Sequence, residues 1–285
     1  MDSVGTPALY AGFTLLVLAL LALDLGVFHR KAHEVSLREA ITWSGVWVGL
    51  ALAFNALVWA WFGGAKGLEF LTGYLIEKSL AVDNIFVFVV IFSSLAVPRM
   101  YQHRVLFWGI VGALILRAGF IAAGAALLAR FHGVIYVFGL LLVATGIRLV
   151  ARREESVDPL RNPVLRLFRR LVPTVADYDG ARFTVVRDGR RHATPLLAAL
   201  VAVEITDVVF AIDSIPAIFA VTRDPFIVYT SNIFAILGLR AMYFLLEGVV
   251  QKFRYLKIGL AGVLVFVGSK MLLSDVLEVS TPVSL

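Results

Sequence analysis

Glu77-Lys78-Ser79-Leu80-Ala81-Val82-Asp83-Asn84-Ile85-Phe86 lies inside an apolar stretch over 68–95. A near copy, Asp207-Val208-Val209-Phe210-Ala211-Ile212-Asp213-Ser214-Ile215-Pro216, lies inside another over 195–221. Both read acid-x-x-(Leu/Phe)-Ala-(Val/Ile)-Asp-(Asn/Ser)-Ile. Two further matches follow in the same order. Leu116-Arg117-Ala118-Gly119-Phe120 mirrors Leu239-Arg240-Ala241-Met242-Tyr243, and Gly146-Ile147-Arg148 mirrors Gly268-Ser269-Lys270. The separation of Arg117 from Arg148 equals that of Arg240 from Lys270 to within one residue. Three anchors in order, each with a charged residue, indicate an internal repeat.

Composition sets the class. The 285 residues are 60% hydrophobic and 16% charged, with a mean hydropathy of +0.89. Soluble proteins run at about 45–50% apolar and about 25% charged, so the chain reads as an all-α polytopic membrane protein. A crossing helix needs about 20 mostly apolar residues. Eight stretches qualify, over roughly 8–28, 41–62, 68–95, 105–129, 133–150, 195–221, 226–248 and 256–274. Spans 3–5 and 6–8 then form the two repeat copies. Three spans per copy is an odd number, so the copies are inverted, as in secondary transporters whose site lies between them. Met1–Gly5 carries Asp2 and no Lys or Arg, which does not fit a cleaved leader.

Charge placement orients the chain. The segments 29–40, 96–104, 151–194 and 249–257 are rich in Lys and Arg, whereas the alternate connections hold only Lys66, Arg130 and Arg223. Basic loops stay in the cytoplasm, which predicts a single transmembrane domain over 1–285 with both termini outside. The net charge of +6 is therefore a topology signal and not a nucleic-acid footprint. In the cytoplasmic loop 151–194, a short amphipathic run lies near Val164–Val172. Phe183 to His192 reads as two strands about an Asp188-Gly189 turn, a β-hairpin. That loop is expected to be solvated, with partner docking as the alternative. Glu69, at the outer end of span three, also reads as solvated.

The spans hold six acids: Asp24, Glu77, Asp83, Glu204, Asp207 and Asp213. Each costs at least about 2.5–3.5 kcal/mol at a helix centre, so they need partners or a purpose. Arg117, Arg240, Lys78, Arg148 and Lys270 also lie in spans and could neutralise them. Glu204 and Asp207 share a helix face, about 4.5 Å apart along the axis. Asp83 follows Glu77, and Asp213 follows Asp207, by six residues, which leaves the two acids of each pair about 120° apart around an unbroken helix. Pro216 predicts either a kink or a break near Asp213, the break freeing backbone carbonyls. With Asn84, Asn232, Ser79, Ser214 and Thr206, the acids make an all-oxygen set suited to Mn²⁺, Mg²⁺ or Ca²⁺. The chain has no cysteine and its five histidines fall at span ends or in loops, which disfavours soft metals. The same carboxylates can exchange protons.

The two acidic motifs, with Glu204-Ile205-Thr206 before the second, resemble the TerC family of integral membrane proteins in its Alx-like branch. Leu23-Asp24-Leu25-Gly26-Val27-Phe28-His29 and Tyr229-Thr230-Ser231-Asn232-Ile233 are similar as well, so nearly the whole chain is covered. The resemblance implies export of Mn²⁺ from the cytoplasm across a bacterial inner membrane, and a link with tellurite resistance. It assigns the metal to Glu77, Asp83, Asn84, Glu204, Asp207 and Asp213. Asp24, Ser214 and Asn232 are secondary positions, and Lys78, Arg117 and Arg240 are charge partners. The expected partners are a divalent ion, protons and lipid, with a homo-oligomer or other membrane proteins left open. No prosthetic group and no enzymatic activity are expected. Three alternatives stand beside this reading. One is an intramembrane aspartyl protease using Asp83 and Asp213. Another is a non-transporting membrane partner. The third is a retinal pump on Lys270, which lacks an acid one turn earlier because Phe266 stands there.

Overall fold

The computed structural model describes residues 3–24, 35–151, 163–187, 189–247 and 256–274. Its helices are α1 (Pro7–Leu23), α2 (Leu37–Phe62), α3 (Gly64–Ser94), α4 (Arg99–Arg130), α5 (Val134–Ala151), α6 (Pro163–Leu171), α7 (Pro195–Phe219), α8 (Pro225–Leu237), α9 (Leu239–Leu246) and α10 (Leu256–Leu272). Strands β1 (Thr184–Arg187) and β2 (Arg190–Ala193) lie between α6 and α7. Several helices start where the sequence says they should. Thr6, Thr194 and Asp224 each precede a proline at the first helical position, and Thr6 accepts from Leu9 N while Asp224 accepts from Phe226 N. An oxygen cap followed by proline satisfies one free amide and removes another. Ser36 caps α2 by accepting from Glu39 N at 3.2 Å.

Five stretches among the described residues are long and apolar enough to cross a bilayer: α2, α4, α5, α7 and Pro225–Leu246. Helices α1 and α10 are apolar but only 17 residues long, about 25 Å. Helix α3 has 31 residues but carries Lys66, Glu69, Glu77, Lys78 and Asp83. The surface is apolar where a soluble protein would be polar, with Leu15, Trp61, Ile115, Leu140 and Ile147 all more than half exposed. The interior instead holds Arg117, Glu77 and Asn232. This inversion fits a lipid solvent, in which backbone groups pair within helices and charges turn inward.

Two helices, α3 and α7, form the centre and run antiparallel. A Cβ on Gly73 would come within 3.1 Å of Ile218, while Glu77 and Ser214 share one arginine further along. Helix α4 packs on α7 in parallel, Gly109 against Val203 and Gly124 against Phe219. Helix α8 packs on α3 and is buried over almost its whole length. On the other side, α5 and α10 pack chiefly on each other. Gly139 meets Gly268, and Gly146 meets Ala261 and Val265, so close that an added Cβ would lie 2.7–2.9 Å from a facing carbonyl oxygen. Small residues permit such close approach in membrane helices.

Two expectations need correction and a third needs refinement. Span six does not break at Asp213: α7 is continuous from Pro195 to Phe219, and Pro216 lies close to its end. The interruption falls in span seven instead, at Gly238 between α8 and α9. Segment 163–194 is exposed over most of its described length but is tied to the bundle at several points. The predicted hairpin forms, with Arg187 opposite Arg190 and Gly189 at φ 73°. It folds back on the basic end of the bundle. Tyr178 donates to Leu95 O at 2.7 Å, Thr194 donates to Arg182 O at 2.7 Å, Arg104 lies over the Phe183 ring, and Leu165 of α6 is 1% exposed. Glu69 is not simply solvated either, because it accepts from Lys66 at 2.8 Å and from Thr222 at 2.5 Å.

Candidate functional site

Arg117 has no exposed surface. Its Nε and Nη2 donate to the two oxygens of Asp207 at 3.2 and 2.8 Å, a planar fork on a planar carboxylate. Its Nη1 donates to Glu77 and reaches Ser214 Oγ at 3.4 Å and Asn232 Oδ1 at 3.3 Å. One cation from α4 thus joins α3, α7 and α8. The heptad-like spacing of Asp207 and Ser214 puts both on the α7 face toward α4, which is why one guanidinium spans them.

Beside this cluster lies a cavity of about 90 Å³, lined by Glu77, Leu80, Asp83 and Asn84 of α3, Thr145 and Leu149 of α5, Phe210, Asp213 and Ser214 of α7, and Leu260 and Leu264 of α10. Thr145 donates to Asp213 Oδ1 at 2.9 Å. Glu77 Oε2 and Asn84 Oδ1 are buried with no hydrogen-bond partner. Both are acceptors, and buried acceptors without donors are costly. A cation among them would supply what they lack.

The predicted residues therefore divide. Glu77, Asp83, Asn84, Asp213 and Ser214 meet at the cavity, whereas Asp207 is held by Arg117 and Asn232 serves that arginine. Glu204 lies apart, against Gly112 of α4, where any Cβ would collide with its carboxylate; its Oε2 is buried without a partner. Asp24 pairs with Arg240 away from the cluster. Lys78 does not neutralise Glu77. Its ammonium donates to Ala235 O at 3.3 Å and lies over the Tyr74 ring, supplying a donor near the helix break at Gly238. Ser79 and Thr206 bond back to their own helix, at Leu75 O and Val203 O. Among the described residues, no three His, Asp or Glu side chains stand close enough to hold a metal as they are placed. The residue missed from sequence is Thr145, a polar side chain in an apolar run, one position before the Gly146 anchor.

An apolar-surfaced helical bundle with a buried arginine–carboxylate cluster beside an oxygen-lined cavity is a membrane protein of transporter-like build. The chain belongs to the integral membrane protein TerC family, whose signature covers residues 62–284. It is 61% identical over 99% of its length to an uncharacterized membrane protein of Myxococcus xanthus, covering 89% of that protein. It is 47% identical over its full length to the putative membrane-bound redox modulator Alx of Escherichia coli K12, covering 92% of it. An uncharacterized membrane protein of Rickettsia bellii is 38% identical over 96% of the chain and 90% of that protein. No solved structure matches.

Proposed function

We propose that this protein is an eight-span secondary transporter of the bacterial inner membrane. It exports a hard divalent cation, Mn²⁺, from the cytoplasm in exchange for protons, and it is not an enzyme. The observation that carries this reading is the cavity between α3 and α7, where Asp83 and Asp213 join the unpartnered oxygens of Glu77 and Asn84. Oxygen ligands with no sulfur or imidazole suit Mn²⁺, Mg²⁺ or Ca²⁺; family membership selects manganese among them. The cavity, about 90 Å³, has room for a few waters, which suits a partly hydrated ion and not the peptide an aspartyl protease must hold.

The inverted repeat supports the same reading. The repeat alignment equates Gly146 with Gly268 and Gly139 with Ala261. The contacts Gly139–Gly268 and Gly146–Ala261 are then one contact seen from both copies. Likewise α3 packs on α8 as α7 packs on α4. The Alx relatives carry a redox description. This chain has no cysteine, so a redox effect here would come through the ion moved and not through thiol exchange.

Purified protein in sealed liposomes should move Mn²⁺ faster with an opposing proton gradient than without one, and Zn²⁺ little. Equal Mn²⁺ movement in protein-free vesicles, or no dependence on Asp83 and Asp213, refutes the transport reading.

A further inference from the structure

Glu77 belongs to two places at once. One oxygen accepts from Arg117 Nη1, while the other is buried without a partner and the residue lines the cavity with Asp83, Asn84 and Asp213. Arg117, by contrast, is anchored elsewhere. Two of its three donor directions are fixed on Asp207, and the third has Ser214 Oγ and Asn232 Oδ1 within 3.4 Å in addition to Glu77. If Glu77 turned wholly toward the cavity, the guanidinium would keep the Asp207 fork and two neutral acceptors. Nothing would be left as a bare buried charge. The exchange therefore leaves the guanidinium paired throughout.

We infer that Arg117 is a specificity-determining residue, a tethered competitor that a cation must displace from Glu77 before the cavity's oxygens can close around it. This rests on the transport reading. A divalent ion, with twice the charge of a guanidinium and several oxygens converging on it, wins Glu77. Sodium or potassium, with one charge, gains no more from Glu77 than Arg117 already does. The arginine thus sets a charge threshold, and metal selectivity against the abundant monovalent ions resides in a residue that never ligates the metal.

The test measures Mn²⁺ binding to purified full-length protein in lipid nanodiscs, by titration calorimetry, with and without about 0.1 M NaCl or KCl. At that ionic strength screening reaches only exposed charges. The double variant Arg117→Gln with Asp207→Asn removes the buried pair together and leaves Glu77 without its competitor. It should bind Mn²⁺ about tenfold tighter than the wild type. Sodium should then weaken that binding about tenfold, against less than about twofold in the wild type. Arg117→Lys keeps the charge without the fork and should fall between the two; it carries the test if the double variant does not yield monodisperse protein. A merely structural arginine would alter stability and the amount of active protein but leave the Mn²⁺-to-Na⁺ ratio unchanged. An unchanged ratio in folded variants of a wild type that binds Mn²⁺ overturns the inference alone. A wild type and variants that all fail to bind or move Mn²⁺, Mg²⁺ or Ca²⁺ overturn the transport reading, and this role with it.

Discussion

Asp207 and Asp213 stand on one helix, and each belongs to the same repeated motif, yet they have opposite surroundings. Asp207 is buried and gripped by both edges of a guanidinium. Asp213 is half-buried, takes one hydroxyl from Thr145, and looks into a cavity. Glu77 and Asp83 repeat the contrast on α3, with Glu77 at the arginine and Asp83 at the cavity. The first acid of each motif ties helices together, and the second lines the cavity. A carboxylate in a membrane is thus not in itself a ligand; its role follows from where the packed helices place it.

The comparison breaks first at Asp207. Asp207→Ala strands Arg117 without its fork and should cost about 3–5 kcal/mol of stability, read as a large fall in melting temperature and in monodisperse yield from detergent extracts. Asp213→Ala should leave the yield near that of the wild type; an equal loss would erase the distinction. Next come Asp83→Asn and Asp213→Asn, which keep shape and one oxygen but lose charge. Each should cut Mn²⁺ flux per folded protein by about ten- to a hundredfold, as expected for interactions of about 1.5–3 kcal/mol at a charged group. Near-normal flux in both would take the cavity out of the mechanism. Thr145→Val, a near-isosteric change that removes the donor to Asp213, should raise the half-saturating Mn²⁺ concentration severalfold, by about 0.5–1.5 kcal/mol. That value sharpens how far α5 helps to shape the cavity. The smallest effect belongs to Glu69→Gln, at the far end of α3. Its pair with Lys66 is partly exposed, so the change should cost under about 1 kcal/mol and leave flux within about twofold in the same liposome assay.

Much of this was legible before any coordinates. Length and apolar composition placed the helices, and the Asp188-Gly189 pair marked the hairpin. The acids and Arg117 stood out because charge in an apolar run is expensive. What the chain could not disclose was the allocation of partners. Lys78 is adjacent to Glu77 in sequence but reaches Ala235 O instead, because neighbours on a helix point roughly 100° apart and its stem runs toward α8. Arg117 holds both Glu77 and Asp207, a choice set by how α4 docks on α7 through Gly109 and Gly124. The break at Gly238 escaped notice for a related reason. Pro216 advertises disruption but sits where α7 is ending, while Gly238 yields to the crowding of Trp47 and Lys78, which only the packed bundle brings there. Glu204 remains the least explained acid, set against Gly112 with one oxygen unpartnered.

The seam between α5 and α10 has a mechanical meaning. Gly139 and Gly146 of α5, two turns apart, meet Gly268 and Ala261 of α10 so closely that a larger side chain at any of these glycines would run into a facing carbonyl. The two helices together supply Thr145, Leu149, Leu260 and Leu264 as one wall of the cavity; any movement of that wall would carry both helices, because their backbones are too close to part by side-chain motion alone.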